Sequence, residues 1–93
     1  MAIGILTVTL RLPGIHSLKE KRAVLKSLIA RLRQKFNISV AEVGDQDKWQ
    51  SAVLGIAGIS GSSALMHRSL EQVLNYIEQN PDVLVTKTDM EIL

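Results

Sequence analysis

Apolar residues in this chain recur at every second position in four segments and at helical spacing in two others, and the order of the six leaves few folds open. In Ile3–Leu12, Leu6, Val8, Leu10 and Leu12 share one face while Thr7, Thr9 and Arg11 share the other, as on the pleat of a strand. Pro13-Gly14 ends that segment, because proline has no amide to donate and glycine accepts positive φ. Ser17-Leu18-Lys19-Glu20 has the spacing of a capping box: the serine hydroxyl accepts from the amide of residue 20, and Glu20 reaches back to the amide of Ser17. Beyond it Leu18, Leu25, Ile29, Leu32 and Phe36 predict a helix of about five turns, with Asn37 as its expected C-terminal cap. Ile38–Val43 alternates again, Gly44-Asp45-Gln46-Asp47 supplies turn residues and Gln50–Ser60 alternates once more, which predicts an antiparallel hairpin. Ser62-Ser63 precede a second helix, from Ala64 to about Asn80, with Met66, Leu70, Val73, Leu74 and Ile77 as its stripe. Asn80-Pro81 stops it, since the residue before proline is pushed out of the α region. Val83–Leu93 is the last strand, with Lys87, Asp89 and Glu91 on one face and Leu84, Met90 and Ile92 on the other.

The order β-α-β-β-α-β, with helices long enough to return the chain, predicts an α+β ferredoxin-like fold: a four-stranded antiparallel sheet with two helices on one face. With 93 residues and no repeat or linker, the expectation is a single domain, residues 1–93. The absence of cysteine excludes disulfides, thiolate zinc sites and cysteine nucleophiles. Two histidines are too few for a histidine metal site, and neither His16 nor His67 has the Ser–carboxylate pairing of a nucleophile–base unit. His67 reads as a surface residue, and His16 as a buttress of the turn through a ring hydrogen bond. No metal, cofactor or catalytic residue is expected, and the chain is not read as an enzyme. Nothing at the N-terminus has the form of a signal peptide. The longest uncharged run, Trp49–Met66, is too polar to span a membrane, so a cytoplasmic protein without membrane contact is expected.

Several runs resemble a known family: His16-Ser17-Leu18-Lys19-Glu20-Lys21-Arg22, Val40-Ala41-Glu42-Val43, and Gln46-Asp47-Lys48-Trp49-Gln50 with Leu54-Gly55-Ile56-Ala57. Together they are similar to the YlxP-like family of small bacterial proteins, a domain of unknown function, over essentially the whole chain. The resemblance implies a ferredoxin-like fold and a genomic setting beside translation genes. It carries over no catalytic residue. Gly58 and Gly61 depart from the family pattern, where bulkier or polar residues are expected.

Charge is partitioned sharply. The segment Ser17–Asn37 holds seven cations against Glu20 alone, whereas the rest of the chain holds four cations against eight acids. At about 100° per residue, Lys19, Arg22, Lys26 and Arg33 fall within one narrow arc beside the apolar stripe. Such a ladder can meet successive phosphates of a nucleic-acid backbone. It can equally be a solvated helix face whose aliphatic stems cover the core edge. Base stacking is set aside, because Ile3–Leu12 and Gln50–Ser60 contain no aromatic residue.

Two further segments stand out. Gly55-x-x-Gly58-x-x-Gly61-Ser62-Ser63 leads into a helix N-terminus but has neither the lysine of a P-loop nor the order of a dinucleotide turn, so close packing and a serine cap are expected there. At the hairpin, Asp45 and Asp47 with Trp49 form a candidate protein-interaction patch, against the commoner arrangement of a tryptophan packed over the end of the core. Apolar residues on both sides of the third strand, with Ile3 and Ile5, imply that the uncovered sheet face is partly apolar, so a homodimer through that face or an edge strand is expected. The leading expectation is a module that associates with ribosomal or other structured RNA through Lys19, Arg22, Lys26 and Arg33. The alternative is a protein-interaction or regulatory homodimer that acts through its sheet without RNA.

Overall fold

The computed structural model describes all residues, 1–93. Its elements are β1 (Ala2–Arg11), α1 (Leu18–Lys35), β2 (Ser39–Gly44), β3 (Ser51–Ser60), α2 (Ser63–Glu78) and β4 (Leu84–Ile92). The strands lie in the order β2-β3-β1-β4 and each neighbouring pair is antiparallel, which is the expected ferredoxin-like α+β arrangement.

The core lies between the sheet and the helices. From β1 it takes Ala2, Leu6, Val8 and Leu10, from β3 Ala52, Leu54 and Ile56, all at the alternate positions that the pleat turns to one side. The helices add Leu25, Leu28 and Leu32 from α1 and Met66, Leu70, Val73 and Ile77 from α2. The side chain of Ser62 caps α2 by accepting from the amide of Leu65, which contributes about 1 kcal/mol. Each buried leucine contributes about 1.5–3 kcal/mol, so the stripe rather than the cap holds α2 in place. Helix α2 approaches the sheet closely because Gly4 and Gly58 sit opposite each other on β1 and β3. A Cβ on Gly4 would lie 2.5 Å from Met66 Cγ, and one on Gly58 would lie 2.8 Å from Met66 Cε. The departure at Gly58 is therefore a seat for Met66 within a strand, not a phosphate loop.

Several local expectations differ from what is observed. Helix α1 ends at Lys35 with Phe36, not Asn37, as its cap. Phe36 is drawn inward, its ring edge-on to Tyr76 with centroids 6.0 Å apart. Glu20 reaches past Ser17 and accepts from the main-chain amide of His16 at 3.3 Å; it is thus the main chain of His16, not its ring, that ties down the turn. Leu28 replaces Leu18 and Ile29 at the centre of the α1 stripe, and those two are only half-buried. On β4, Leu84 lies on the outer face, away from Met90 and Ile92. Thr9 pairs with Lys87 but Leu10 pairs with Val85, so Thr86 is an extra residue that reverses the alternation. Val85 takes the inward place and Leu84 is 56% exposed. Neither helix is long and apolar enough to cross a membrane.

Candidate nucleic-acid interface

The capped first turn of α1, where Ser17 Oγ accepts from the amide of Glu20, directs the cations that follow. Lys19, Arg22, Lys26 and Arg33 are all exposed, and none lies within ion-pair distance of a carboxylate. Arg22, Lys26 and Arg33 line one groove between α1 and β2, with Leu25, Val40 and Glu42 among its other walls. Lys19 stands one turn further on, outside that groove. Arg33 is partly committed: its Nη2 donates to the main-chain carbonyl of Val40 at 2.7 Å, which leaves its other donors for a ligand.

The cation that sequence periodicity left in the general count is Lys21. It is 1% exposed, and its ammonium lies 2.7 Å from the carbonyl oxygens of both Asp45 and Lys48. Glu42 Oε2 is 2.8 Å away in ion contact, off the direction of a hydrogen bond, and that oxygen has no other partner. Two of the three ammonium donors go to those carbonyls, and the carboxylate of Glu42 compensates the charge. The signal was present in the sequence: Lys21, Leu25, Leu28 and Leu32 form a single i, i+4, i+7, i+11 stripe, so position 21 faces inward whatever its charge.

Lys21 therefore binds the start of α1 to the β2–β3 hairpin, which carries Asp45, Asp47 and Trp49. Gln50 adds a second tie, since its Nε2 donates to the carbonyl of Ile15 at 3.1 Å. Within the hairpin Asp45 takes a left-handed conformation, φ 57°. Its Oδ2 accepts from Ser51 Oγ at 2.6 Å, and Lys48 Nζ lies 3.5 Å from Oδ1. The Ser51 hydroxyl is the main cause that holds the Asp45 carboxyl below the usual aspartate range; partial burial opposes it, and the charges of Lys48 and Lys21 add to it. Two of the hairpin's acids, Glu42 and Asp45, are thus engaged by neighbouring groups, while Asp47 is exposed at the tip. Trp49 is not packed over the core but is 53% exposed. His67 is on the surface, as expected, with Nδ1 2.9 Å from Glu71 Oε1.

The outer sheet face is mixed. Ile3, Val43, Ile59 and Leu84 are exposed apolar residues, whereas Thr7, Thr9, Lys87 and Asp89 line a polar hollow in its middle.

Fold and side-chain arrangement define a small ferredoxin-like α+β protein with a cationic helix flank and a latched hairpin, without a constellation that assigns a reaction. The chain belongs to the DUF503 family, described as a protein of unknown function, which it matches over residues 3–90. It is 45% identical over 75 residues to the uncharacterized protein YlxP of Bacillus subtilis (strain 168), a match that covers 81% of this chain and 82% of that protein. The resemblance read from His16–Arg22 and Gln46–Gln50 is borne out.

Proposed function

We propose that this protein is a binding module, not an enzyme, which attaches to structured RNA such as that of the ribosome through the flank of α1. One observation carries the reading: Lys19, Arg22 and Lys26 stand exposed along one side of the helix, and no carboxylate lies within ion-pair distance of them. Arg33 continues the row with its uncommitted donors. Each phosphate neutralised by such a side chain releases counterions, so binding weakens steeply with salt. Shape and backbone contacts, not base stacking, are the mode this surface favours.

The test is filter binding to purified ribosomal RNA over a salt series, with a triple variant Lys19→Glu, Arg22→Glu, Lys26→Glu. The variant is expected to fold normally, to bind far more weakly and to reduce the salt slope by about 3. Equal binding by variant and wild type, or no binding by the wild type at low salt, would refute the proposal. The second reading, a protein-interaction or regulatory module working through its sheet or hairpin, is favoured by the exposure of Trp49, Ile59 and Val43. Partners that stay bound through nuclease treatment and high salt would support it over RNA binding.

A further inference from the structure

The two outer strands of the sheet are finished differently. On β2, the side chain of Arg33 occupies the carbonyl of Val40. On β4, which pairs only with β1, no side chain is hydrogen-bonded to the main chain of Thr88, Met90 or Ile92. Ile3 and Leu93 exchange both of their main-chain hydrogen bonds, at 3.1 and 2.7 Å. Because inward and outward bonding alternate along an antiparallel ladder, Glu91, Asp89 and Lys87 also bond toward β1. Thr88, Met90 and Ile92 then present their amides and carbonyls outward. An exposed edge of this length is a template for another strand unless charge or irregularity blunts it. The charges here are one cation followed by two acids, Lys87, Asp89 and Glu91, and Lys87 and Asp89 make no ion pair within the chain.

The cation at 87 and the acid at 89, two residues apart on one face, select a partner and a register. If a second copy of β4 pairs antiparallel with Thr88 on the two-fold axis, Lys87 faces Asp89 of the second copy, and the reverse pair forms by symmetry. All four side chains stand on the outer sheet face, because Lys87 pairs with Thr9 and Asp89 with Thr7. Lys87 and Asp89 would meet as non-hydrogen-bonded pairs, where cross-strand side chains come closest. Every neighbouring symmetric register is worse. Centring on Lys87 opposes two lysines, centring on Met90 opposes Asp89 to Glu91 twice, and centring on Asp89 sets two aspartates against each other on the axis although it pairs Lys87 with Glu91; only the Thr88 register has both ion pairs and no like-charge pair. The extra residue Thr86 marks where the regular ladder ends.

We infer that this protein forms a two-fold homodimer through its β4 edges, in the Thr88-centred register, which joins two four-stranded sheets into one of eight. The inference does not depend on RNA binding, because the α1 cations lie beside β2, at the far side of the sheet.

Charge reversal and charge swap test it, with sedimentation equilibrium over the micromolar range and amide hydrogen exchange as readouts. Lys87→Glu alone and Asp89→Lys alone each set like charges against each other twice. Each is expected to weaken the dimer roughly tenfold or more without loss of folding. The swapped double variant, Lys87→Asp with Asp89→Lys, is expected to dimerise like the wild type. In the dimer the amides of Thr88 and Met90 should become protected from exchange. A monomeric wild type at every concentration would overturn the inference. So would a dimer that is indifferent to the single reversals, a swap that fails to restore association, or exchange at Thr88 and Met90 that is unchanged by dimerisation.

Discussion

Replacing Lys21 by methionine keeps the apolar stem of the side chain and removes its ammonium, with the charge and the donors it carries. The variant leaves Glu42 Oε2 without its one counter-charge and strips a hydrogen-bond donor from the carbonyls of Asp45 and Lys48. Breaking a buried pair by removing one partner costs about 3–5 kcal/mol. The Glu42 side chain is 21% exposed, so water can reach it and the low end, about 3 kcal/mol, is expected. A chain of 93 residues is stable by about 5–14 kcal/mol, which makes that loss a large share of the whole. It corresponds to a fall in Tm of roughly 12–24 °C. Urea titration followed by the emission of Trp49, the chain's only tryptophan, measures the loss and reports the hairpin at the same time. Adding Glu42→Gln to Lys21→Met removes the orphaned charge and should recover about 1–2 kcal/mol, because the two unsatisfied carbonyls remain. A Lys21→Met variant that loses under about 1 kcal/mol, or a double variant less stable than the single one, would refute this account of the latch.

Gly4→Ala should cost about 1–3 kcal/mol by thermal denaturation, since its Cβ meets the stem of Met66 and a methyl of Leu70. Gly58→Ala should cost under about 1 kcal/mol, because it meets only the terminal methyl of Met66 and the more distant Ile38. Ser51→Ala should raise the Asp45 titration toward the ordinary value, read by carboxyl-carbon NMR. The folded pKa of Asp45 lies below its unfolded value, so its stabilisation is present above about pH 4 and is lost as pH falls through the folded pKa. In Ser51→Ala, urea titrations should therefore show a smaller acid-side loss from this residue. Arg33→Ala should cost about 1 kcal/mol through its bond to Val40, whereas Lys26→Ala should stay within about 0.5 kcal/mol, a difference resolved by the same titrations.

The fold was legible because two periodicities alternate cleanly and each switch carries a stop: Pro13-Gly14, the Asp45 turn, Ser62 and Asn80-Pro81. What escaped sequence reasoning were features made by long-range partners. The place of Leu84 depends on a bulge at Thr86, and a strict period of two cannot register one inserted residue. Phe36 displaced Asn37 from the cap because Tyr76, far along the chain, draws its ring inward. In the candidate site, the row Lys19, Arg22, Lys26 and Arg33 could be drawn from helical spacing alone. That Arg33 bonds to Val40, and which carboxylate and carbonyls receive the Lys21 ammonium, depended on where β2 and the hairpin return. Counting charges treated Lys21 as one cation of seven; its place on the stripe identifies it as the one held by an acid.

The Lys21 ammonium makes one lever of two parts that the chain keeps 24 to 27 residues apart. One buried side chain thus sets where the tip of the hairpin stands relative to the first turn of the helix.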